Sequence, residues 1–315
     1  MSDAPVVSPR AKSRPRMLST SAGSRPDAFG STEWGLLALI ACVWGSSFLW
    51  IAIGIESFSP EVVAFARVVF GVITLALFPR ARRRVEREDL PRIALLGIIW
   101  QAIPLSLFPL AEQRISSALA GMINGAVPLF AALIAALMLK RIPALRQLVG
   151  LLIGFGGVLA ISWPALHGKA GTLLGVGLLL IAVVLYGLSA NLAVPLQQKY
   201  GSMPVLLRAE LFAALCLSPF AAVGVTQSHW SWASTAAMVP LGILGTGLAF
   251  IALATLVGRA GAARGVVAIY FVPPVAILLG VVFRDEHVAP VALVGAALVI
   301  VGAYLTSRRE PPADS

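Results

Sequence analysis

Long apolar runs alternate with short polar stretches along almost the whole chain, and the runs are too long to be strands. Ten can be drawn, at about 34–54, 61–78, 93–110, 117–139, 148–163, 173–194, 203–225, 236–257, 266–283 and 290–306. Most are about 17 to 23 residues long, enough to cross a ~30 Å hydrocarbon core as helices. In hydrocarbon a spanning segment must satisfy its own backbone polar groups, which selects the helix. The pattern therefore predicts an all-α integral membrane protein with ten transmembrane helices.

Residues 114–162 and 259–307 read as two copies of one segment. A shift of 145 positions places Arg114 on Arg259, Pro128 on Pro273, Gly150 on Gly295, Gly157 on Gly302 and Ser162 on Ser307; twelve of 49 aligned residues are identical without a gap. Apolar composition supplies chance Ala, Leu and Val matches far more readily than Arg, Pro, Gly and Ser matches. Five runs lie before residue 168 and five after it. Because five is odd, a second copy inserts upside down. Two inverted five-helix repeats around a central cavity are transporter architecture, and exchanging their conformations opens the cavity to alternate sides. The expected organisation is a tail at 1–33, a first repeat at 34–168, a second at 169–307 and a short tail at 308–315.

Composition supports this class: 58% of residues are hydrophobic and 12% charged, with mean hydropathy +0.90, against about 25% charged in soluble domains. The net charge of +10 is a topology signal. With the N-terminus inside, nineteen Lys and Arg fall on the cytoplasmic side, and only Arg114, Lys169 and Arg284 on the other. That satisfies the positive-inside rule with both termini cytoplasmic in a plasma membrane, and it argues against nucleic acid as a partner. The first 33 residues are rich in Ser, Pro and Arg without an apolar run, which reads as a disordered tail with no cleavable signal. Cys42 and Cys216 fall inside apolar runs and are expected to be buried thiols, with no disulfide, metal or redox role. No cofactor is implied.

Several short motifs carry a family resemblance. They are Trp44-Gly45-Ser46-Ser47-Phe48 in the first run, Pro60 followed by Arg67 in the second, and then, in each half, Pro128 or Pro273, a charged cap and a Gly-rich closing helix. On these the chain resembles the EamA-type, ten-helix branch of the drug/metabolite transporter superfamily over residues 34 to 307. The resemblance implies a basket of paired five-helix repeats in a family that mostly exports small metabolites or toxic compounds. That family usually has Glu at both caps. Here Glu286 keeps it, while Lys140-Arg141 stands at the aligned position of the first half.

Ionisable groups at membrane depth cost at least ~2.5 kcal/mol each and need a reason. Three fall within the runs: Arg67, Arg208 and Glu210. Arg208 reads as an arginine snorkelling to headgroups. Glu210 suits a cationic group or a proton, or a structural hydrogen bond near the interface. Arg67 suits a substrate carboxylate or phosphate through its fork of donors, or a lock onto backbone carbonyls. A direct Arg67–Glu210 bridge is not expected, because their depths differ by roughly 10 Å at 1.5 Å per residue. Ser46, Ser47, Trp100, Gln101, Asn124, Tyr186, Ser189, Asn191 and Tyr270 also lie at depth. Each alone suits helix-to-helix hydrogen bonding; as a set, with Trp44, they describe an amphipathic cavity. Trp34, Trp50, Trp163, Trp230 and Trp232 sit at run ends, where an interfacial belt explains them. Pro104, Pro128, Pro240 and Pro273 interrupt helices, and the recurrence of Pro128 and Pro273 favours hinges or gates. His167, His229 and His287 read as solvated loop residues.

These readings favour a secondary transporter for a small amphipathic metabolite, amino acid or drug-like compound, exported by alternating access. Proton coupling through Glu210 and facilitated diffusion fit equally well. A membrane-bound sensor or scaffold is the alternative. No Walker-type phosphate loop occurs, and the paired carboxylates, His clusters or activated nucleophile of an enzyme are missing. Small-residue faces suit either a homodimer or packing within the bundle.

Overall fold

The computed structural model describes residues 31–140, 145–166, 170–260 and 266–307, and these form helices without a strand. Residues 1–30 and 308–315, the charged cap at Arg141, His167 and the boundary between 168 and 169 lie outside the described residues, while 31–33, expected in the tail, begin the first helix. In chain order the helices are α1 (Ser31–Gly54), α2 (Pro60–Ala76), α3 (Leu90–Leu96), α4 (Ile103–Glu112), α5 (Ser117–Asn124), α6 (Val127–Met138), α7 (Leu145–Leu166), α8 (Ala170–Tyr200), α9 (Ser202–Val225), α10 (Trp232–Gly242), α11 (Ala249–Ala260), α12 (Val272–Arg284) and α13 (Pro290–Ser307). Single π-helical stretches fuse α3 to α4 (Gly97–Ala102) and α10 to α11 (Ile243–Leu248), and a 3-10 turn (Val266–Phe271) leads into α12. Among the described residues seven continuous spans are long and apolar enough to cross a membrane, and shorter apolar helices cover Ala268–Arg284 and Pro290–Leu305. The helices overrun the apolar runs: α8 has 31 residues and α7 has 22. Terminal turns carry polar residues that a hydropathy reading leaves out.

Local chemistry explains the helix starts. Ser59, Ser116 and Ser231 cap α2, α5 and α10, each accepting a hydrogen bond from a backbone N–H in the first turn. Pro104 follows the first π stretch inside the continuous Arg87–Glu112 span, at an interruption such as the sequence pattern predicts, whereas Pro128 and Pro273 each occupy the first turn of a new segment. There the missing N–H costs no hydrogen bond. Pro240 is internal to α10 and lies just before the second π stretch.

Packing joins elements from opposite ends of the sequence. α2 lies along α9, α5 along α12, α7 along α13, α4 and α6 along α8, and α1 against α10, α11 and α12. The α7–α13 seam is built on glycine. A Cβ on Gly157 would lie 2.6 Å from the Gly295 carbonyl oxygen, and one on Gly295 would lie 2.7 Å from that of Gly157. Backbones this close gain packing that lipid cannot supply. The outward surface is apolar, with Leu152, Leu215, Phe220 and Val294 exposed, as lipid contact requires. Cys42 and Cys216 also lie on it as free, exposed thiols, not buried as their apolar setting suggests. A membrane helix is apolar on every face, so hydrophobicity does not mark its inner side.

Both ends of the bundle are tied by polar contacts. At one end Asp89 accepts from Tyr200 Oη (2.6 Å), Lys199 Nζ (2.9 Å) and Arg92 Nη1 (3.2 Å). Lys199 also reaches Glu86 at 2.7 Å. Arg208 donates to the carbonyls of Arg83 (2.7 Å) and Pro204 (3.0 Å), so it clamps the loop after α2 in addition to lying near headgroup depth. At the other end Arg284 pairs with Glu56. Glu286 takes Ser117 N (2.9 Å) and Ser117 Oγ (2.7 Å) on one oxygen and Ala118 N (2.8 Å) on the other. That carboxylate caps α5 from the far side of the sequence. His229 and His287 are exposed at this end.

Candidate functional site

The helices line a partly open cavity with about 620 Å³ of empty space, its open mouth included. Six of the side chains singled out from sequence line it: Trp44, Ser47, Arg67, Trp100, Asn124 and Tyr186. The two π stretches help to build it. Trp100 lies in the first and is buried against the cavity. The second leaves the Gly245 carbonyl to accept Trp44 Nε1 at 2.7 Å, and its Thr246 hydroxyl accepts Arg67 Nε at 2.8 Å. Arg67 thus leans on a side-chain hydroxyl, not on the backbone carbonyls considered from sequence, and one of its five N–H donors is used in this way. The walls are aromatic. Phe250 stands edge-on to Trp44 (4.9 Å between centroids) and Trp100 (5.6 Å), and Phe108 stacks on Tyr186 at 5.9 Å and tilts against Phe48 at 5.7 Å.

The other candidates lie away from the cavity wall. Ser46 donates to Val43 O, and Ser189 to Tyr186 O one turn back on its own helix. Asn191 donates to Ala131 O and Gly187 O, both at 2.9 Å, and pins α8 to α6. Tyr270 donates to Ala303 O at 2.6 Å and ties the 3-10 turn to α13. Gln101 is fully buried, with neither amide atom partnered. Glu210 is fully buried too; its carboxylate lies against Gly71 of α2, where an added Cβ would come within 2.5 Å of Oε2, and neither oxygen has a hydrogen-bond partner. No Arg67–Glu210 ion pair is present among the described residues, although Arg67 is within electrostatic reach of Glu210, Glu112 and Tyr186. Pro128 and Pro273 are buried at the starts of α6 and α12, and a Cβ on Gly125 would meet Pro273 Cγ at 2.8 Å. The two helix starts therefore sit close together beside the cavity.

Two polar residues fall just past the apolar runs and so escape a hydropathy reading. Glu112, the last residue of α4, is buried with both oxygens unpartnered, so Glu210 is not the only acidic group at depth. Gln197 lines the cavity with both amide atoms unpartnered. A detectable signal was its spacing: Tyr186, Ala190, Ala193 and Gln197 recur at intervals of four, three and four, one face of α8, and all four line the cavity. Among the described residues no cluster of His, Cys, Asp and Glu could hold a metal ion. What the wall offers is one guanidinium, amide and hydroxyl groups, and aromatic surface, which is equipment for binding a small molecule.

Known proteins give the same picture. A probable terminal-alkyne amino-acid exporter of Streptantibioticus cattleyicolor is 29% identical over 279 residues, covering 88% of this chain and 93% of its own. An uncharacterised inner membrane transporter of Escherichia coli K12, YedA, is 24% identical over 87% of this chain and 90% of its own. A crystal structure 16% identical shares the fold with TM-score 0.63, covering 88% of this chain and 97% of that one. The sequence profile of the EamA-like transporter family matches twice, at residues 32–163 and 173–308. Both named relatives are described as transporters. By that double match, over a helical bundle wrapped about an amphipathic cavity, the chain belongs to the EamA-like transporter family.

Proposed function

We propose that the protein is a secondary exporter of a small amphipathic metabolite, amino acid or drug-like compound, working by alternating access. The observation that carries this reading is the cavity: Arg67, Asn124 and Ser47 stand in it beside Trp44, Trp100 and Tyr186. It mixes a few polar groups with apolar surface, as small-molecule sites do. Ten membrane-spanning helices in two inverted repeats, 34–168 and 169–307, with both termini in the cytoplasm of a plasma-membrane protein, are the arrangement that the repeat and the charge distribution support. Contacts of α2 with α9, α5 with α12 and α7 with α13 agree with it, because each pairs a helix with its counterpart in the other half. The helix starts at Pro128 and Pro273 serve as hinges beside the cavity. Glu210, buried and without a donor, is the group assigned to proton coupling. A homodimer would use surfaces other than the glycine seam, which α7 and α13 already occupy.

Flux into proteoliposomes tests this, with amino acids, aromatic metabolites and cationic dyes offered with and without an imposed proton gradient. Gradient-stimulated flux of one class, lost in Glu210→Gln, is the expected result. Flux indifferent to the gradient would remove the proton role from Glu210. No flux above protein-free vesicles for any class would overturn transport of these compounds.

A further inference from the structure

The cavity has two polar ends, and only one of them carries charge. Arg67 is the sole formal charge on its wall among the described residues, and the buried carboxylates Glu112 and Glu210 are not part of that wall. Arg67 is 5% exposed, its guanidinium held at Nε by Thr246, and no other hydrogen bond engages its remaining donors among the described residues. A fork of this kind, in a site of low polarity, matches a carboxylate. Tyr186 lines the same cavity as the guanidinium. From Tyr186, Ala190 and Ala193 run along one face of α8 to Gln197. Eleven residues at 1.5 Å rise separate those ends by roughly 16 Å. Small side chains between them leave room, and Trp44, Trp100, Phe48 and Phe108 supply apolar aromatic wall. Gln197 is 4% exposed, faces the cavity, and has neither its amide N–H nor its carbonyl oxygen satisfied. A buried amide left open at a cavity wall is a binding position waiting for a donor or acceptor.

We propose that the cavity is an elongated slot for a monocarboxylate with an apolar, preferably aromatic, body and a hydrogen-bonding group at its far end. Arg67 takes the carboxylate and Gln197 takes the distal group. This rests on the transport reading and narrows it: acids and amino acids that span the slot are substrates, whereas amines without a carboxylate are not. Gln197 sets the length of the preferred molecule, and the aromatic walls select its middle.

A matched trio separates the two ends: 3-(4-hydroxyphenyl)propionate carries both groups, 3-phenylpropionate lacks the distal hydroxyl, and tyramine lacks the carboxylate. Binding is measured on the full-length protein in nanodiscs, and flux separately in proteoliposomes. The hydroxylated acid is expected to bind about tenfold tighter than 3-phenylpropionate, the worth of one neutral hydrogen bond. Tyramine is expected to bind about a hundredfold more weakly than the hydroxylated acid, for want of the charge-assisted pair. Gln197→Leu should bring the ratio of the two acids close to one, a change in selectivity that misfolding cannot produce. Arg67→Gln should abolish the preference for acids over tyramine, and Arg67→Lys should restore part of it. An unchanged acid ratio in Gln197→Leu overturns the role of Gln197. Tyramine binding as well as the acids, or failure of all three to bind, overturns the slot. Selective binding without flux would uphold the slot and remove the transport reading; flux of the acids indifferent to both residues would do the reverse.

Discussion

Asp89 shows how much a single side chain can hold. It is 1% exposed and joins the short loop before α3 to the end of α8 through Lys199, Tyr200 and Arg92. Asp89→Ala removes three hydrogen bonds at once, two of them from cationic donors, and is expected to lower stability by about 3 kcal/mol, read as denaturant unfolding in detergent. Lys199→Ala removes one partly exposed partner and should cost no more than ~1 kcal/mol; equal losses would mean that the cluster is held from Lys199. Residue by residue, the sequence marked which polar groups lie at depth better than what they do there. Arg67, Asn124 and Tyr186 reach the cavity, but Ser189 and Asn191 satisfy nearby carbonyls. Polarity at depth says that a group must turn away from lipid; it does not say whether helix or cavity receives it. Glu112 and Gln197 escaped because they stand two or three residues beyond runs bounded by hydropathy.

For helices, the prolines illustrate the difference between pattern and geometry. Their positions were legible, but a proline at a segment start and one that breaks a helix look alike without the backbone. The π stretches left no sequence mark, since one extra residue in a turn changes no apolar period enough to read. Glycine is more exact. Gly157 of α7 meets Gly295 of α13, while Gly156 beside it has nothing within 4 Å of an added Cβ. Gly157→Val is expected to cost about 2 kcal/mol through overpacking, whereas Gly156→Ala should be neutral or stabilising by about 0.5 kcal/mol. Thermal unfolding of the two variants side by side checks the pair, and equal losses would contradict the seam. Gly201 makes the one-residue turn between α8 and α9 at φ 83° and ψ 162°, a region essentially closed to other residues. Gly201→Ala should cost about 1–3 kcal/mol on the same measurement.

As a whole, the molecule packs helices from the two ends of the sequence against each other, α2 on α9, α5 on α12 and α7 on α13. How the halves are fastened was not legible. Glu286 was visible as a charged cap, yet its role in closing α5 needs the fold to bring positions 117 and 286 together. Glu286→Ala, which removes three hydrogen bonds between the halves, is expected to destabilise the bundle by about 3 kcal/mol. Glu286→Gln, which keeps an acceptor, should recover part of that. The lipid-facing thiols have a practical consequence. Cys42 on α1 and Cys216 on α9 are the only cysteines in the chain, one in each half, and both point outward, away from the cavity. The unaltered protein therefore carries its own pair of attachment points for membrane-permeant spin labels. Pulsed electron resonance between them can follow the separation of the halves during a transport cycle without a single introduced mutation.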